Sequence, residues 1–89
     1  MEFEWDEAKR LTNLAKHRLD FTRIARLLNG PHVFAAGNTH PVEARWLVTG
    51  ILEDRFVTAV FTQRGERIRI ISLRSARNVE KRRYQALYG

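Results

Sequence analysis

Cysteine is absent from the 89-residue sequence, which excludes disulfide bonds, thiolate nucleophiles, and zinc or iron–sulfur sites with cysteine ligands. The sequence also lacks internal repeats and low-complexity stretches. No run approaches the roughly 18 apolar residues of a membrane-spanning helix, and the first residues lack the basic and apolar segments of a signal peptide. We therefore expect a cytosolic protein whose chemistry depends on histidine, arginine, lysine, tyrosine and carboxylate side chains.

The composition is that of a globular protein. Hydrophobic residues make up 44% of the chain and charged residues 29%, proportions that exclude a disordered tail or a fibrous repeat. Because the chain is shorter than the usual domain of about 100 to 200 residues, we expect residues 1–89 to form a single domain. A domain of this size buries only about 60% of its unfolded surface, so its stability should be modest.

Basic residues are concentrated in the C-terminal part of the chain. The net charge is +6, and thirteen of the sixteen basic residues are arginine. Residues 1–54 carry seven basic and eight acidic side chains, a net charge of −1, whereas residues 55–89 carry nine basic and two acidic ones, a net charge of +7. Arginine binds phosphate oxygens in a bidentate manner. The charge therefore favours a nucleic acid as partner, with an acidic protein or a merely solvated basic surface as alternatives.

The pattern of apolar residues predicts an α+β fold with the element order ααββββα. Asp6 is expected to cap a first helix over about 7–17, and Asp20 a short second helix that ends at Asn29-Gly30-Pro31. Four strands are predicted at 33–34, 45–52, 55–64 and 67–73, with a loop at 35–42. Ser75 is expected to cap the C-terminal helix. The prediction is thus two N-terminal helices, a four-stranded and mainly antiparallel sheet, and a C-terminal helix.

The hairpin around Gly65-Glu66 indicates which side chains share a face of the sheet. With this turn, Arg64 lies opposite Arg67 and Thr62 opposite Arg69. Continuing the same register places Ser72 on the core face and Leu73 on the open face. The full core face then holds Val57, Ala59, Phe61, Ile68, Ile70 and Ser72, and the open face holds Val60, Thr62, Arg64, Arg67, Arg69, Ile71 and Leu73.

Three arginines on one face are costly unless they bind an anion, most simply a phosphate. The alternative is that Arg64 and Arg67 flank the turn and extend into water. A slip of one residue in the register would also break the pattern.

Lys16 and His17 end the first predicted helix, where the helix dipole favours positive charge. This is a sufficient structural reason for both residues, but His17 is also the best candidate for a group that titrates near neutral pH. His17, His32 and His40 do not have the spacing of metal ligands, so we expect neither a metal nor another cofactor.

The C-terminal helix carries further candidates. Glu80 lies among basic residues, where it forms an ion pair or takes part in catalysis. Tyr84 follows one turn later and either packs against the core or presents its hydroxyl group to a substrate. The basic residues of this region are Arg74, Arg77, Lys81, Arg82 and Arg83.

The N-terminus resembles the opening of the BrnT family of type II toxins, whose pattern is F-x-W-D-x-x-K-x-x-x-N-x-x-K-H-x-x-x-F. The matching positions are Phe3, Trp5, Asp6, Lys9, Asn13, Lys16, His17 and Phe21. The resemblance continues over nearly the whole chain, at Glu43, Arg45, Trp46, Gly50, Phe61, Thr62, Arg64, Ile68, Arg69, Ile70, Ile71, Ser72, Arg74, Ala76, Glu80 and Tyr84. One departure is Arg18-Leu19, where family members commonly have glycine and a β-branched residue.

The resemblance implies a RelE-like fold and a metal-independent endoribonuclease that inhibits translation and growth. It also implies neutralisation by a BrnA-like antitoxin with a ribbon-helix-helix part, through which the complex binds operator DNA. A higher-order toxin–antitoxin assembly is consistent with exposed apolar residues beyond the arginines. Cleavage by the 2′-hydroxyl group of the RNA requires positive charge and proton transfer.

These requirements define the expected site. The expected catalytic residues are Lys16, His17, Arg64 and Arg69, the expected RNA-binding residues are Arg67, Arg74, Arg77 and Arg82, and the expected supporting residues are Glu80 and Tyr84. A non-catalytic nucleic-acid-binding module would use the same arginines. A third alternative is a structural partner that docks through Val60, Ile71 and Leu73.

Overall fold

The computed structural model describes residues 2–37 and 43–89, so His40 and most of the predicted loop at 35–42 lie outside the described residues. The α+β class is confirmed. Among the described residues, no helix is long and apolar enough to cross a membrane. The elements are β1 (Glu2–Glu4), α1 (Glu7–His17), a 3₁₀ turn (Phe21–Arg23), α2 (Ile24–Asn29), β2 (His32–Ala36), β3 (Trp46–Leu52), β4 (Arg55–Arg64), β5 (Arg67–Ser75) and α3 (Asn78–Tyr88).

The sheet has five strands in the order β1-β5-β4-β3-β2, and it is mixed because β1 runs parallel to β5. The prediction of a four-stranded sheet is therefore wrong, since it omits β1. This strand has only three residues, too few for an alternating pattern to be visible. Its register places Glu2 beside Arg67 and Glu4 beside Arg69, and these opposite charges favour the pairing.

The helices agree with the prediction in position more than in detail. The first helix has the predicted bounds, and the carboxylate of Asp6 accepts a hydrogen bond from the backbone nitrogen of Lys9. It ends at Arg18 with φ 60° and ψ 30°, a left-handed conformation that favours glycine. This is the position at which the resemblance described above predicts glycine.

The second predicted helix is divided into the 3₁₀ turn, which Asp20 caps, and the six-residue α2. The third begins later than predicted: Arg77 is its N-cap, while Ser75 still pairs with Val57 in β5. The proposed capping role of Ser75 is therefore wrong, because the sheet retains this residue.

The two faces of the sheet are covered by different helices. One face contributes buried apolar side chains such as Val57 and Leu73, which cluster with Phe21 and Leu27 of the 3₁₀ turn and α2. On the opposite face, the hydroxyl group of Thr58 donates a hydrogen bond to α3. The helix α3 packs mainly against β2 and β3, so it leaves the part of this face near β5 more open. The candidate functional residues lie in that part.

A β-bulge in β5 changes the predicted register. The pairs from Arg64–Arg67 to Phe61–Ile70 are as predicted, but Val60 then pairs with Ser72 rather than Ile71, and Ala59 with Leu73. The side chain of Leu73 is fully buried in the core, whereas Ser72 lies on the face that α3 partly covers. The predicted faces of Ser72 and Leu73 are therefore exchanged, because a bulge residue reverses the alternation beyond it.

The side chain of Asn13 joins α1 to the edge of β5. Its amide nitrogen donates to the carbonyl oxygens of Leu73 and Leu19 at 2.8 and 2.9 Å, and its carbonyl oxygen accepts from the backbone nitrogen of Leu73 at 3.2 Å and the hydroxyl of Ser72 at 3.3 Å. Within the described residues, β1 pairs with residues 67–69, and the Asn13 amide satisfies the peptide group of Leu73, four residues further along β5.

We expect Asn13→Ala to lower the free energy of unfolding by about 2 to 4 kcal/mol, because it leaves buried backbone groups of Leu73 and Leu19 without partners. The control is Thr12→Ala, which alters the preceding exposed residue and should change stability by less than about 0.5 kcal/mol. Urea unfolding of both variants measures the difference. Equal stabilities for the two variants would contradict the role given to Asn13.

Candidate active site and basic surface

A groove lies between α1 and β5, and we call it the α1–β5 groove. Its volume is about 310 Å³, and its lining residues are Ala8, Lys9, Thr12, Asn13, Lys16, His17, Ile71 and Ser72. Residues four apart lie on one face of a helix, so the sequence of α1 places Lys9, Asn13 and His17 along the groove. The bulge in β5 places Ile71 and Ser72 on its other side. Residues from both ends of the chain therefore form this site.

His17 is half-buried at one end of the groove. Burial and the positive charges of Lys16, Arg74 and Arg55 hold the pKa of His17 below its usual value of 6.5. The imidazole is therefore mostly neutral at pH 7 and is able to accept a proton. Lys16, the adjacent residue, supplies a positive charge in the same groove.

The structure does not bring the four expected catalytic residues together. Lys16 and His17 share the α1–β5 groove, whereas Arg64 and Arg69 line no part of it. Arg64 is exposed beside the turn at Gly65, and Arg69, two residues before Ile71 of the groove, donates its hydrogen bond to Glu4 of β1. The cations that act on His17 are instead Lys16, Arg74 and Arg55.

Carboxylates of the protein itself lie beside two of the arginines in the predicted phosphate-binding cluster. The guanidinium group of Arg69 donates to Glu4 at 2.6 Å, and that of Arg67 lies 3.1 Å from a carboxylate oxygen of Glu2. Both glutamates belong to β1, which the sequence prediction omitted. For Arg67 and Arg69, carboxylates of β1 therefore supply negative charge where the sequence analysis expected a phosphate.

A second groove lies between the sheet and α3, and we call it the sheet–α3 groove. Its volume is about 410 Å³, and its lining residues are Ala36, Gly37, Arg45, Leu47, Val60, Arg74, Arg77, Val79, Glu80 and Arg83. Arg74 and Arg77 are here as expected, while Arg82 is exposed and lines neither groove. The prediction missed Arg45 and Arg83. Helical spacing gave a signal for Arg83, which is four residues after Val79.

Glu80 is the most constrained charged residue of the site, with only 2% of its surface exposed. Its carboxylate accepts hydrogen bonds from the guanidinium group of Arg74 at 2.8 and 3.0 Å, from the backbone nitrogen of Arg77 at 2.8 Å, and from the hydroxyl of Thr58 at 2.9 Å. Burial alone raises the pKa of Glu80, but these donors outweigh it and lower the pKa to about 2. The predicted ion pair with a neighbouring arginine is confirmed.

Tyr84 packs inside the molecule. Its ring meets Phe56 edge-on at 5.4 Å and lies 4.9 Å from the ring of Tyr88, and only 6% of its surface is exposed. Of the two alternatives for Tyr84, the structure therefore favours packing. Within residues 2–37 and 43–89, no three histidine, aspartate or glutamate side chains form a cluster that could hold a metal ion.

We expect Glu80→Gln to destabilise the protein by up to about 3 kcal/mol at pH 7, because it removes a carboxylate whose pKa is about 2 in the folded state and ordinarily 4.5. A carboxylate with a lowered pKa stabilises fully above about pH 4.5, and the effect is lost as the pH falls toward 2. The difference between wild type and variant should therefore shrink over that range.

Unfolding measured at several pH values from 2 to 7 gives this difference. Glu66→Gln, at the exposed hairpin turn, is the control and should change stability by less than about 0.5 kcal/mol. A difference between wild type and Glu80→Gln that stays constant from pH 7 to pH 2 would contradict the assignment.

Comparison with known proteins identifies the family. The family model that matches is described as the ribonuclease toxin BrnT of type II toxin–antitoxin systems, and it covers residues 5–80. That range includes the whole α1–β5 groove and all of the sheet–α3 groove except Arg83. Among curated proteins, none matches the chain. Because the match spans most of the sequence, the chain belongs to the BrnT family of ribonuclease toxins.

Proposed function

We propose that this chain is an endoribonuclease that cleaves RNA in the α1–β5 groove without a metal ion. The observation that carries the proposal is the pairing of His17, whose pKa is lowered, with Lys16 in one groove next to the charge of Arg74. A neutral imidazole and nearby cations are the groups that RNA cleavage by its own 2′-hydroxyl requires. The family description as a ribonuclease toxin supports the same reaction class.

The reaction needs one proton acceptor and stabilisation of negative charge. The 2′-oxygen attacks the adjacent phosphorus while its proton passes to His17. The bond from phosphorus to the 5′-oxygen then breaks, and that oxygen takes a proton from solvent. The products are a 2′,3′-cyclic phosphate and a 5′-hydroxyl end. Lys16 stabilises the charge that develops on the phosphorane oxygens, and Arg74, which is paired with Glu80 beside the groove, adds to the positive potential there.

The arginines of β4 and β5 near the hairpin turn have a different role in this proposal. Arg64, Arg67 and Arg69 lie toward the hairpin turn rather than in the groove, so they attract the RNA backbone instead of acting on the reacting phosphate. Arg67 and Arg69 already neighbour Glu2 and Glu4. Their net contribution to RNA binding is therefore smaller than their number suggests.

A non-catalytic RNA-binding module is the alternative function. The sheet–α3 groove favours it, because its arginines form a basic surface that needs no proton transfer to bind RNA. The two functions differ in a single observation, which is whether RNA is cleaved. Binding without cleavage supports the module.

The proposed antitoxin is a BrnA-like protein with a ribbon-helix-helix part, through which the complex binds operator DNA. A partner that inhibits the reaction needs to cover the α1–β5 groove or to compete with RNA for the arginines of the sheet–α3 groove. Acidic side chains suit both grooves, because cationic side chains that become buried require counter-charges.

We expect expression of the chain alone to arrest bacterial growth and purified protein to cleave RNA in the presence of EDTA. Growth curves and gel analysis of total RNA measure the two effects. The control is Lys16→Gln together with His17→Gln in the same chain, which should fold but neither arrest growth nor cleave RNA. Normal growth with abundant folded wild-type protein would contradict the toxin assignment. Cleavage that EDTA abolishes would contradict metal independence.

We expect His17→Gln to lower the cleavage rate by about a hundredfold or more, because it removes the proton acceptor. The pKa of His17 lies below 6.5, so the wild-type rate should fall as the pH drops through that pKa and the imidazole becomes protonated. The variant should lack this dependence.

The matched control is His32→Gln. His32 lies on β2, at the edge of the sheet opposite β1 and β5, so its replacement should leave the pH–rate profile unchanged. The assignment fails if His17→Gln lowers the thermal midpoint but leaves the rate and its pH profile as in wild type.

A further inference from the structure

The two grooves lie side by side on one face of the sheet. Val60 lines the sheet–α3 groove and Ser72 lines the α1–β5 groove, and these residues are cross-strand partners in β4 and β5. Cross-strand partners point to the same face with their Cα atoms about 5 Å apart. A single extended ligand is therefore able to enter both grooves without crossing to the other face.

Arg74 connects the two grooves electrostatically. Its positive charge contributes to the lowered pKa of His17 in the first groove, and its side chain lines the second. Both nitrogens at the end of its guanidinium group donate to the buried carboxylate of Glu80. This bidentate pair fixes the position of Arg74 between the proposed cleavage site and the sheet–α3 groove.

The sheet–α3 groove has more positive than negative charge. Among its described lining residues are four arginines and one carboxylate, Glu80, which is paired with Arg74. Arg45 has a long contact of 3.7 Å with Glu43. Among the residues that the structure describes, Arg77 and Arg83 have no carboxylate within ion-pair distance. Guanidinium groups in this arrangement are suited to phosphate oxygens.

We propose that the sheet–α3 groove binds a phosphate of the RNA strand one or two nucleotides away from the scissile bond, with Arg83 as a principal contact. Apolar Leu47, Val60 and Val79 lie beside the arginines and contact the adjoining ribose or base. The inference rests on the proposed function, since it takes the scissile phosphate to be in the α1–β5 groove. It follows that RNA longer than a dinucleotide binds more tightly than a dinucleotide.

RNA fits this position better than an acidic segment of the antitoxin because the two grooves are adjacent on one face. A strand held at His17 has flanking phosphates, and the neighbouring groove presents Arg77 and Arg83 to them. An antitoxin segment needs no such proximity to the cleavage site. We therefore treat binding of the antitoxin to this groove as a competing outcome of the test.

The test compares a dinucleotide with a hexanucleotide, both 2′-O-methylated so that cleavage cannot occur, by fluorescence anisotropy at several salt concentrations. We expect wild type to bind the hexanucleotide more tightly, and Arg83→Gln to weaken hexanucleotide binding about tenfold while leaving dinucleotide binding nearly unchanged. The variant should also reduce the slope of the logarithm of the association constant against the logarithm of the salt concentration by about one, as expected for the loss of one phosphate contact.

The control is Arg26→Gln, which makes the same change of charge on α2, away from both grooves, and should alter hexanucleotide binding by less than about twofold. Circular dichroism and the thermal midpoint establish that both variants fold. Equal effects of the two substitutions, or wild-type binding that does not depend on RNA length, would overturn the proposal.

Two further measurements separate this inference from the proposed function. Cleavage of unmodified RNA by the wild-type protein tests the function directly, so active protein without a length effect contradicts the inference alone. A variant Arg83→Gln that escapes the antitoxin but binds the hexanucleotide as wild type does would assign the groove to the antitoxin. That result would also overturn the proposal.

Discussion

The side-chain amide of Asn13 determines how α1 lies against the sheet. It hydrogen bonds to both the nitrogen and the oxygen of Leu73, four residues beyond the last β5 residue that pairs with β1. The helix α1 is therefore held at the edge of β5, with Lys16 and His17 one turn further along. Without this contact the α1–β5 groove would have no fixed second wall, and the peptide group of Leu73 would be buried without a partner.

The arginines of β5 differ in the carboxylates that they contact, and therefore in how much they contribute to stability. Glu4 lies beside Arg69 and, at a longer distance, Arg67, whereas Glu80 binds Arg74 further along the strand. The first pair is partly exposed and contributes little to stability, whereas the second is supported by further hydrogen bonds to a buried carboxylate. The sequence indicated the second pair, whose residues are 6 positions apart, but not the first, whose residues are 65 positions apart.

The regular elements could be predicted because their patterns are local. Helix α1 has its predicted bounds since Asp6 and the apolar spacing act within a few residues, and the hairpin at Gly65 has its predicted register as far as Phe61–Ile70. Prediction failed at β1, which is too short to show an alternation of apolar and polar residues. It also failed at the bulge, because no residue type at this position indicates one. That single bulge exchanged the faces of Ser72 and Leu73.

The candidate site was harder to predict than the fold. Lys16 and His17 could be proposed as candidates because helix ends and histidines are visible in sequence, but the groove that places them beside Ser72 depends on the bulge and on Asn13. Arg64 and Arg69 were grouped with His17 on the basis of charge, although neither lines the groove and the guanidinium group of Arg69 is bound to Glu4. Sequence indicated the kinds of residue that the chemistry needs and left their distances undetermined.

The contact between Asn13 and Leu73 also constrains when the site can form. The two residues are 60 positions apart, and β1 likewise pairs with the last strand, so closure of nearly the whole chain precedes both contacts. Contacts of such long range are slow to form, because the entropy of ordering the intervening chain is lost first. A growing polypeptide therefore acquires the groove only after β5 has been synthesised, and fragments that end before this strand contain one wall of it and no more.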